Sequence, residues 1–356
     1  MRLTGSRPGP TRIAVPGIAA AAATAAALIG AGSASATITY EKGPNSFQPS
    51  IWVANDDGSG ARRLASGRHG GDQPVIAPDG SAVLFTGRST ANPSLAIVPT
   101  AGGHVRILVR AIVGDYVWSP DAKTAAVTVG SLPRRERLVL IDVASGKTRT
   151  VVRGDIEGMS FSPDGTQLAY ARGPAGRDFP GRTDIYTVPV AGGPAKRITR
   201  GHADTQPVWG PTAIAYAHYK KPKRRQDNPK SNIFLVNPDG SGRRQLTHQH
   251  AAFLLTGPAP LQFSGDGTRL LAEFGGQDTS YGEGVNVATG RVHVLTHTRA
   301  LEFGLVAGGI SRDGTRVIGA TGGFDPGSRH NVVTVPFAGG KPKVLVRNAF
   351  APTWTD

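Results

Sequence analysis

Phe161-Ser162-Pro163-Asp164-Gly165, followed at once by the apolar run Leu168-Ala169-Tyr170, is the stretch whose reading decides the fold. Proline presets φ, aspartate bonds the local backbone and glycine takes φ > 0, so the phrase folds as a tight turn between two strands. It recurs as Ala77-Pro78-Asp79-Gly80 before Ala82-Val83-Leu84-Phe85, and as Trp118-Ser119-Pro120-Asp121. Looser copies stand at Trp209-Gly210-Pro211, Phe263-Ser264-Gly265-Asp266-Gly267 and Ser311-Arg312-Asp313-Gly314.

Working outward, a second phrase follows each turn: a β-rich strand, another turn and a short basic-apolar strand. Ile185-Tyr186-Thr187-Val188, Ala191-Gly192-Gly193 and Lys196-Arg197-Ile198-Thr199 form one example. The apolar marker of that last strand falls at Leu64, Leu108, Val151, Ile198, Leu246, Leu295 and Leu345, at intervals of 43 to 50 residues. Four strands at such a period make one blade of a β-propeller. The two ends complete the count. Ile38-Thr39-Tyr40, Ile51-Trp52-Val53-Ala54 and Arg62-Arg63-Leu64 read as the second, third and fourth strands of a blade, and Ala351-Pro352-Thr353-Trp354 reads as the missing first. Joined, they close a ring and remove its open edges. The expected fold is all-β, a seven-bladed β-propeller closed by a composite blade from both termini, with six blades as the alternative count.

The aromatic-Ser-Pro-Asp-Gly turn before an apolar strand resembles the TolB-like group of WD-repeat-like propellers, and the likeness runs over essentially all of residues 37–356. TolB itself carries six blades and a separate N-terminal domain, which this chain does not match. Related propellers gate prolyl oligopeptidases, whose hydrolase domain finds no counterpart here. Some propeller lyases that cleave uronic-acid polymers use histidines and a divalent metal.

Composition agrees with many short strands and many turns: 48 Gly and 27 Pro beside 39% hydrophobic residues. With no cysteine, disulfides, thiol catalysis and cysteine-ligated metals are excluded. Residues 1–36 stand apart. Arg2, Arg7 and Arg12 precede an Ala-rich apolar run from Ile13 to Gly32 and then Ala34-Ser35-Ala36, the pattern of a cleaved export signal. The expected mature chain starts at Thr37 and is secreted or periplasmic, with a single propeller domain over 37–356.

The net charge of +15 falls to +12 without the three signal arginines. Such a field attracts anions: headgroups, acidic polysaccharides, polyphosphate or, non-specifically, nucleic acid. The long loops between second and third strands concentrate it, at Arg134, Arg135 and Arg137, at Arg177 and Arg182, and at Lys220, Lys221, Lys223, Arg224 and Arg225. Long loops on a rigid scaffold are where binding resides, so these residues are the expected binding site for a protein or an anionic envelope polymer.

Catalytic signatures are sparse. There is no Gly-x-Ser-x-Gly elbow and no His-Glu-x-x-His helix. Ser145-Gly146-Lys147-Thr148 lacks the earlier glycine of a phosphate loop and reads as a hairpin turn, as do Asn55-Asp56-Asp57-Gly58 and Asn237-Pro238-Asp239-Gly240. His248 with His250, and His293 with His297, have spacings that can hold a metal, yet no carboxylate lies beside either pair. His69 and His202 recur before Gln-Pro and suggest a loop role. Asp72, Asp115, Asp155 and Asp204 each sit just before the first strand of a blade, facing one end of the central channel; acids there could do general acid-base work or bind a cation, and their repetition favours loop capping. The expectation is a non-catalytic binding or scaffold propeller without metal or cofactor. The alternative is a carbohydrate-active lyase or hydrolase using His and Asp residues at the channel mouth.

Overall fold

A computed structural model describes residues 37–43, 49–87, 93–130, 136–173, 182–221, 227–276, 279–296, 304–322 and 330–355. They form seven four-stranded antiparallel sheets. The proposed export signal and the start site at Thr37 concern residues 1–36, which lie outside the described ones; the first strand begins at Thr37. Numbering blades in chain order, blade one is the composite. Phe350–Thr355 pairs antiparallel with Thr37–Lys42, setting Trp354 opposite Ile38 and Thr353 opposite Thr39. The other six blades use consecutive strands, and blade seven ends at Arg347. The ring of seven is the count that the repeats and the two ends give.

Each sheet is apolar on both faces, so the strands read as nearly continuous buried runs, as in Ala125, Ala126 and Val127 of blade three. The core lies between blades. Tyr216, Phe234 and Val236 of blade five pack on Ala169, Ala171 and Ile185 of blade four. On the other face, Ala215, Ile233 and Leu235 pack on Leu270, Ala272 and Val285 of blade six. Alternation along the strand sends successive residues to the two neighbours.

The recurrent Ser-x-Asp turn works as the sequence suggests. In blade four, Ser162 Oγ donates to Asp164 Oδ1 (2.5 Å), which also accepts Thr166 N–H (3.0 Å), while Ser162 Oγ accepts Gln167 N–H (2.9 Å). Blades three, six and seven repeat the Ser–Asp bond at 2.6 Å. Gly165, at φ 71°, closes the turn in the left-handed region that glycine tolerates best.

Part of the positive charge is structural. Near the start of several fourth strands a cation reaches a backbone carbonyl of the next blade. Arg106 donates to Val143 O, Arg149 to Val190 O, Lys196 to Asp239 O (2.9 Å) and Arg244 to Val287 O (3.0 Å). In blade six His293 Nε2 takes this place against Phe337 O, a structural post for one of the candidate histidines; His297 lies outside the described residues. These staples lie on the face of the short turns.

Trp354 packs in the cluster joining blades seven and one, with Ile38, Tyr40, Ile318 and Val332, and the Arg316 guanidinium sits over its ring at 5.3 Å. Thr353 binds blade two, donating to Pro74 O (3.2 Å) and accepting Ile76 N–H (3.1 Å). Trp354→Ala is expected to cost about 3 kcal/mol, read as a lower midpoint in urea. Deleting 350–356 should give an open, aggregating ring; unchanged melting after the deletion would contradict closure by these residues.

Candidate functional site

In a propeller the blade-to-blade connections and the loops between second and third strands share one face. A pocket of about 730 Å³ opens there on blade five. Its walls include His218 and Lys220 on the strand Ile214–Lys220, Lys221 beyond it, and His248, His250 and Phe253 on the connection to blade six.

His218 is fixed from two sides. In the hairpin register it stands opposite Asp204, the first residue of the strand Asp204–Trp209. Nδ1 lies 2.7 Å from Asp204 Oδ1. Asp204 is fully buried and also accepts Gly201 N–H at Oδ2 (3.2 Å). The imidazole edge meets the Phe234 ring, with centroids 5.1 Å apart and planes at 67°. Phe234 is held in turn by Arg243, whose guanidinium lies 4.4 Å from its centroid and donates to Tyr216 Oη. A buried carboxylate accepting Nδ1–H places the free lone pair of a neutral imidazole on Nε2, for which no hydrogen-bond partner is recorded among the described residues. This is the arrangement of a general base.

Lys230 and Asp227 build the pocket wall. Lys230 Nζ donates to Asp227 Oδ1 (2.7 Å), Ala252 O (2.8 Å) and Leu255 O (2.8 Å). Asp227 Oδ1 also accepts Leu254 N–H (2.9 Å), supporting Leu254 in its left-handed conformation (φ 65°). The Lys230 hydrogen bond is the main reason that Asp227 ionises below the usual carboxylate range. Lys230 is therefore committed to the fold, whereas Lys220 and Lys221 are exposed and have no ion-pair partner among the described residues.

Of the expected binding residues, the structure brings Lys220 and Lys221 to this pocket. Arg182 is exposed just before the strand Asp184–Pro189, and Arg137 opens the strand Arg137–Asp142 half-buried, opposite Val129 and Arg153. Neither lines it. Arg134, Arg135, Arg177, Lys223, Arg224 and Arg225 lie outside the described residues.

The four first-strand aspartates prove not to be equivalent. Asp72 is the second residue of its strand, Asp115 the third, Asp155 and Asp204 the first. A bulge in each first strand, marked by left-handed Gln73 (φ 56°), Gly158 (φ 78°) and Gln206 (φ 51°), hides the offset in the sequence. Other side chains cap these loops as well. Glu41 accepts Gln73 N–H (2.6 Å), Glu136 accepts Ile156 N–H (2.9 Å), Asp184 accepts His202 N–H (3.1 Å) and Asn232 accepts Gln249 N–H (2.8 Å). His202, paired with Asp184 at 3.5 Å, belongs to that set. Asp204 differs from the other three by its histidine. Acids also gather where blades three and four meet: burial, then the neighbouring Asp155, Glu136 and Asp115, push Glu157 up to about 7. Among the described residues no three His, Asp or Glu side chains stand at metal-ligand spacing.

No protein family and no curated protein matches the chain. Solved structures do. A Mycobacterium tuberculosis puromycin-hydrolyzing peptidase is 18% identical with a TM-score of 0.61, covering 88% of this chain and 52% of its own. TolB from Acinetobacter baumannii is 17% identical with a TM-score of 0.52, covering 90% and 83%. An oligogalacturonate lyase in complex with manganese is 16% identical with a TM-score of 0.56, covering 87% and 84%. The chain thus spans about half the length of the peptidase. At these identities the shared property is the fold, which bears out the TolB-like resemblance at that level: this is a propeller of a kind that both TolB and enzymes employ.

That finding corrects one expectation. The chain was expected to be non-catalytic because it lacks contiguous enzyme signatures. Structures of the same fold include a peptidase and a lyase, and the expectation is withdrawn. In sequence Asp204 and His218 lie fourteen residues apart and form no contiguous signature; they meet only through a hairpin register. The one available signal was that blade five alone pairs an acid opening its first strand with a histidine in its second. Gly201 offers a direct check on the dyad, because a Cβ there would stand 2.5 Å from Asp204 Oδ2. Gly201→Ala is expected to cost about 1–3 kcal/mol in a urea melt and to shift the His218 ring resonances in NMR, leaving those of His293 in place.

Proposed function

We propose that the chain is a carbohydrate-active lyase acting on acidic saccharides, and the observation that carries this reading is the His218–Asp204 dyad opening into a pocket with two free lysines. A sugar carboxylate offers an acidified C–H at its α carbon and a glycosidic oxygen at the β carbon. His218 Nε2 takes the α proton, the electron pair forms the C=C bond, and the β C–O bond breaks, its oxygen taking a proton from water. Asp204 keeps Nδ1–H in place and stabilises the imidazolium that forms. Lys220 and Lys221 carry the carboxylate charge, which grows as the proton leaves. Phe253, 53% exposed at the rim, offers an apolar surface to a sugar face. The pocket volume lies within the range that holds a small ligand.

The related fold of a lyase crystallised with manganese raises the question of a metal. The described residues bring no three His, Asp or Glu side chains to ligand spacing, and the step above assigns roles to His218, Asp204, Lys220 and Lys221. An export signal over 1–36 would deliver such an enzyme to the polymers outside the cell membrane. The remaining basic loop residues would then steer an anionic chain towards blade five, in a salt-dependent manner.

Polyuronate fragments incubated with the protein should yield an unsaturated uronate, followed by the absorbance of its conjugated double bond. His218→Gln and Asp204→Asn should each lower kcat by about 10²–10⁴, the usual worth of a positioned base. Lys220→Ser with Lys221→Ser should chiefly raise KM. Absence of unsaturated product from every polyuronate, or full turnover by His218→Gln, would overturn the reading.

A further inference from the structure

The connection carrying His248 and His250 is bound to two blades through the residue between them. Gln249 is tied to blade five by its backbone: its N–H donates to Asn232 Oδ1 (2.8 Å) and its C=O accepts from Asn232 Nδ2 (3.1 Å). Its side chain crosses to blade six, where Nε2 donates to Glu283 Oε1 (2.7 Å). Glu283 is 1% exposed on the strand Thr279–Asn286. One hydrogen bond joins this carboxyl and this amide, and the carboxyl's second oxygen, Glu283 Oε2, and the amide's oxygen, Gln249 Oε1, are both buried without a partner. Two acceptor oxygens orphaned on the two partners of one bond lack a single proton. A neutral carboxylic acid supplies it, donating Oε2–H to Gln249 Oε1 and closing a two-bond acid–amide pair.

We propose that Glu283 is held as the neutral acid and is the positioning residue of the pocket, fixing the His248–His250 wall through that closed pair and releasing it when it ionises. The inference deepens the proposed function, since the pocket is the same. Its test reads the protein itself and not turnover, so the two can fail separately. Burial holds Glu283 protonated up to about pH 7, against the opposing pull of the Gln249 hydrogen bond. The titratable groups on the surrounding elements are Tyr281 on its own strand, Glu273 and His293 on the flanking strands, and Lys230, His248 and His250 from blade five. Glu273 accepts from Ser280 Oγ, His293 is bound to Phe337 O, and Lys230 is bound to Asp227. The unfolded chain ionises in the ordinary carboxylate range and the folded chain only near 7, so the folded form binds the extra proton between. Stability and closure are therefore greatest at low pH in that window and fall as pH rises through it.

Hydrogen exchange of segment 247–255, corrected for the intrinsic pH dependence of exchange, decides the matter in the full chain. Between about pH 6 and 8.5 the wild type should lose protection there by up to about tenfold, the rise in the ionised fraction of a group titrating near 7. Glu283→Gln, a permanent neutral mimic able to make both bonds, should keep its protection flat over the same range. Gln249→Leu, which cannot form the pair, should show low protection at every pH. Identical pH dependence in wild type and Glu283→Gln would overturn the proposal, as would loss of protection in Glu283→Gln at acid pH. A flat wild-type profile would overturn it too.

Discussion

The first strand of each blade is hydrogen-bonded to a partner on one side only, and its other edge faces the channel with unpaired amides and carbonyls. Such groups must find partners, and an open strand edge is a template for aggregation. The ring answers with one residue level repeated around the channel. Thr353 serves Ile76 N and Pro74 O, Trp118 Nε1 serves Val75 O (3.0 Å), Ser160 serves Trp209 N (3.0 Å) and Gln262 serves Ile310 N (3.1 Å). Each stitch runs from one blade to its neighbour. Proline at 74, 207 and 352 removes an amide that would otherwise need a partner at the same edge. Such bonds need a neighbouring blade, and Thr353 makes them from the composite blade while Trp354 packs it against blade seven.

Once the inner edges are fixed, the ends of the strands are fixed as well, and the site inherits its precision from them. His218 and Asp204 sit on paired strands whose register is set by the blade, so neither side chain depends on a loop to find the other. The loop elements that complete the pocket are fastened separately, by Lys230 to the backbone of 252 and 255 and by Gln249 to blade six. A rigid acid–base pair walled by tied-down connections is a division of labour suited to chemistry, because the reacting groups need not be reorganised on binding.

The fold was legible because its determinants are local and repeated. A Ser-Pro-Asp-Gly turn writes its own geometry, and a strand without a mate at each end of the chain asks to be joined. Asp204 and His218 were visible as residues but not as a pair, since their meeting depends on a register that a bulge beside Gln206 shifts. A separate bulge in each first strand made Asp72, Asp115, Asp155 and Asp204 look alike in sequence although they stand second, third, first and first in their strands. The caps, Glu41, Glu136, Asp184 and Asn232, escaped notice for the opposite reason: they share a place in space and no common residue type or spacing.

Part of the net charge is committed to the fold itself. Arg106, Arg149, Lys196 and Arg244 spend their charge on carbonyls of the next blade, at the face of short turns opposite the pocket. Arg197 is paired with Asp184 at 2.5 Å, and Lys230 with Asp227. A cation bound to a carbonyl still contributes to the field at long range, but it cannot move to meet a ligand. Among the described residues, the exposed cations lining the pocket without an ion-pair partner are Lys220 and Lys221, a short run at the end of one strand. On the proposed reading, specificity for an anionic ligand would rest on two lysines placed beside a histidine, with the rest of the positive charge contributing approach and fold.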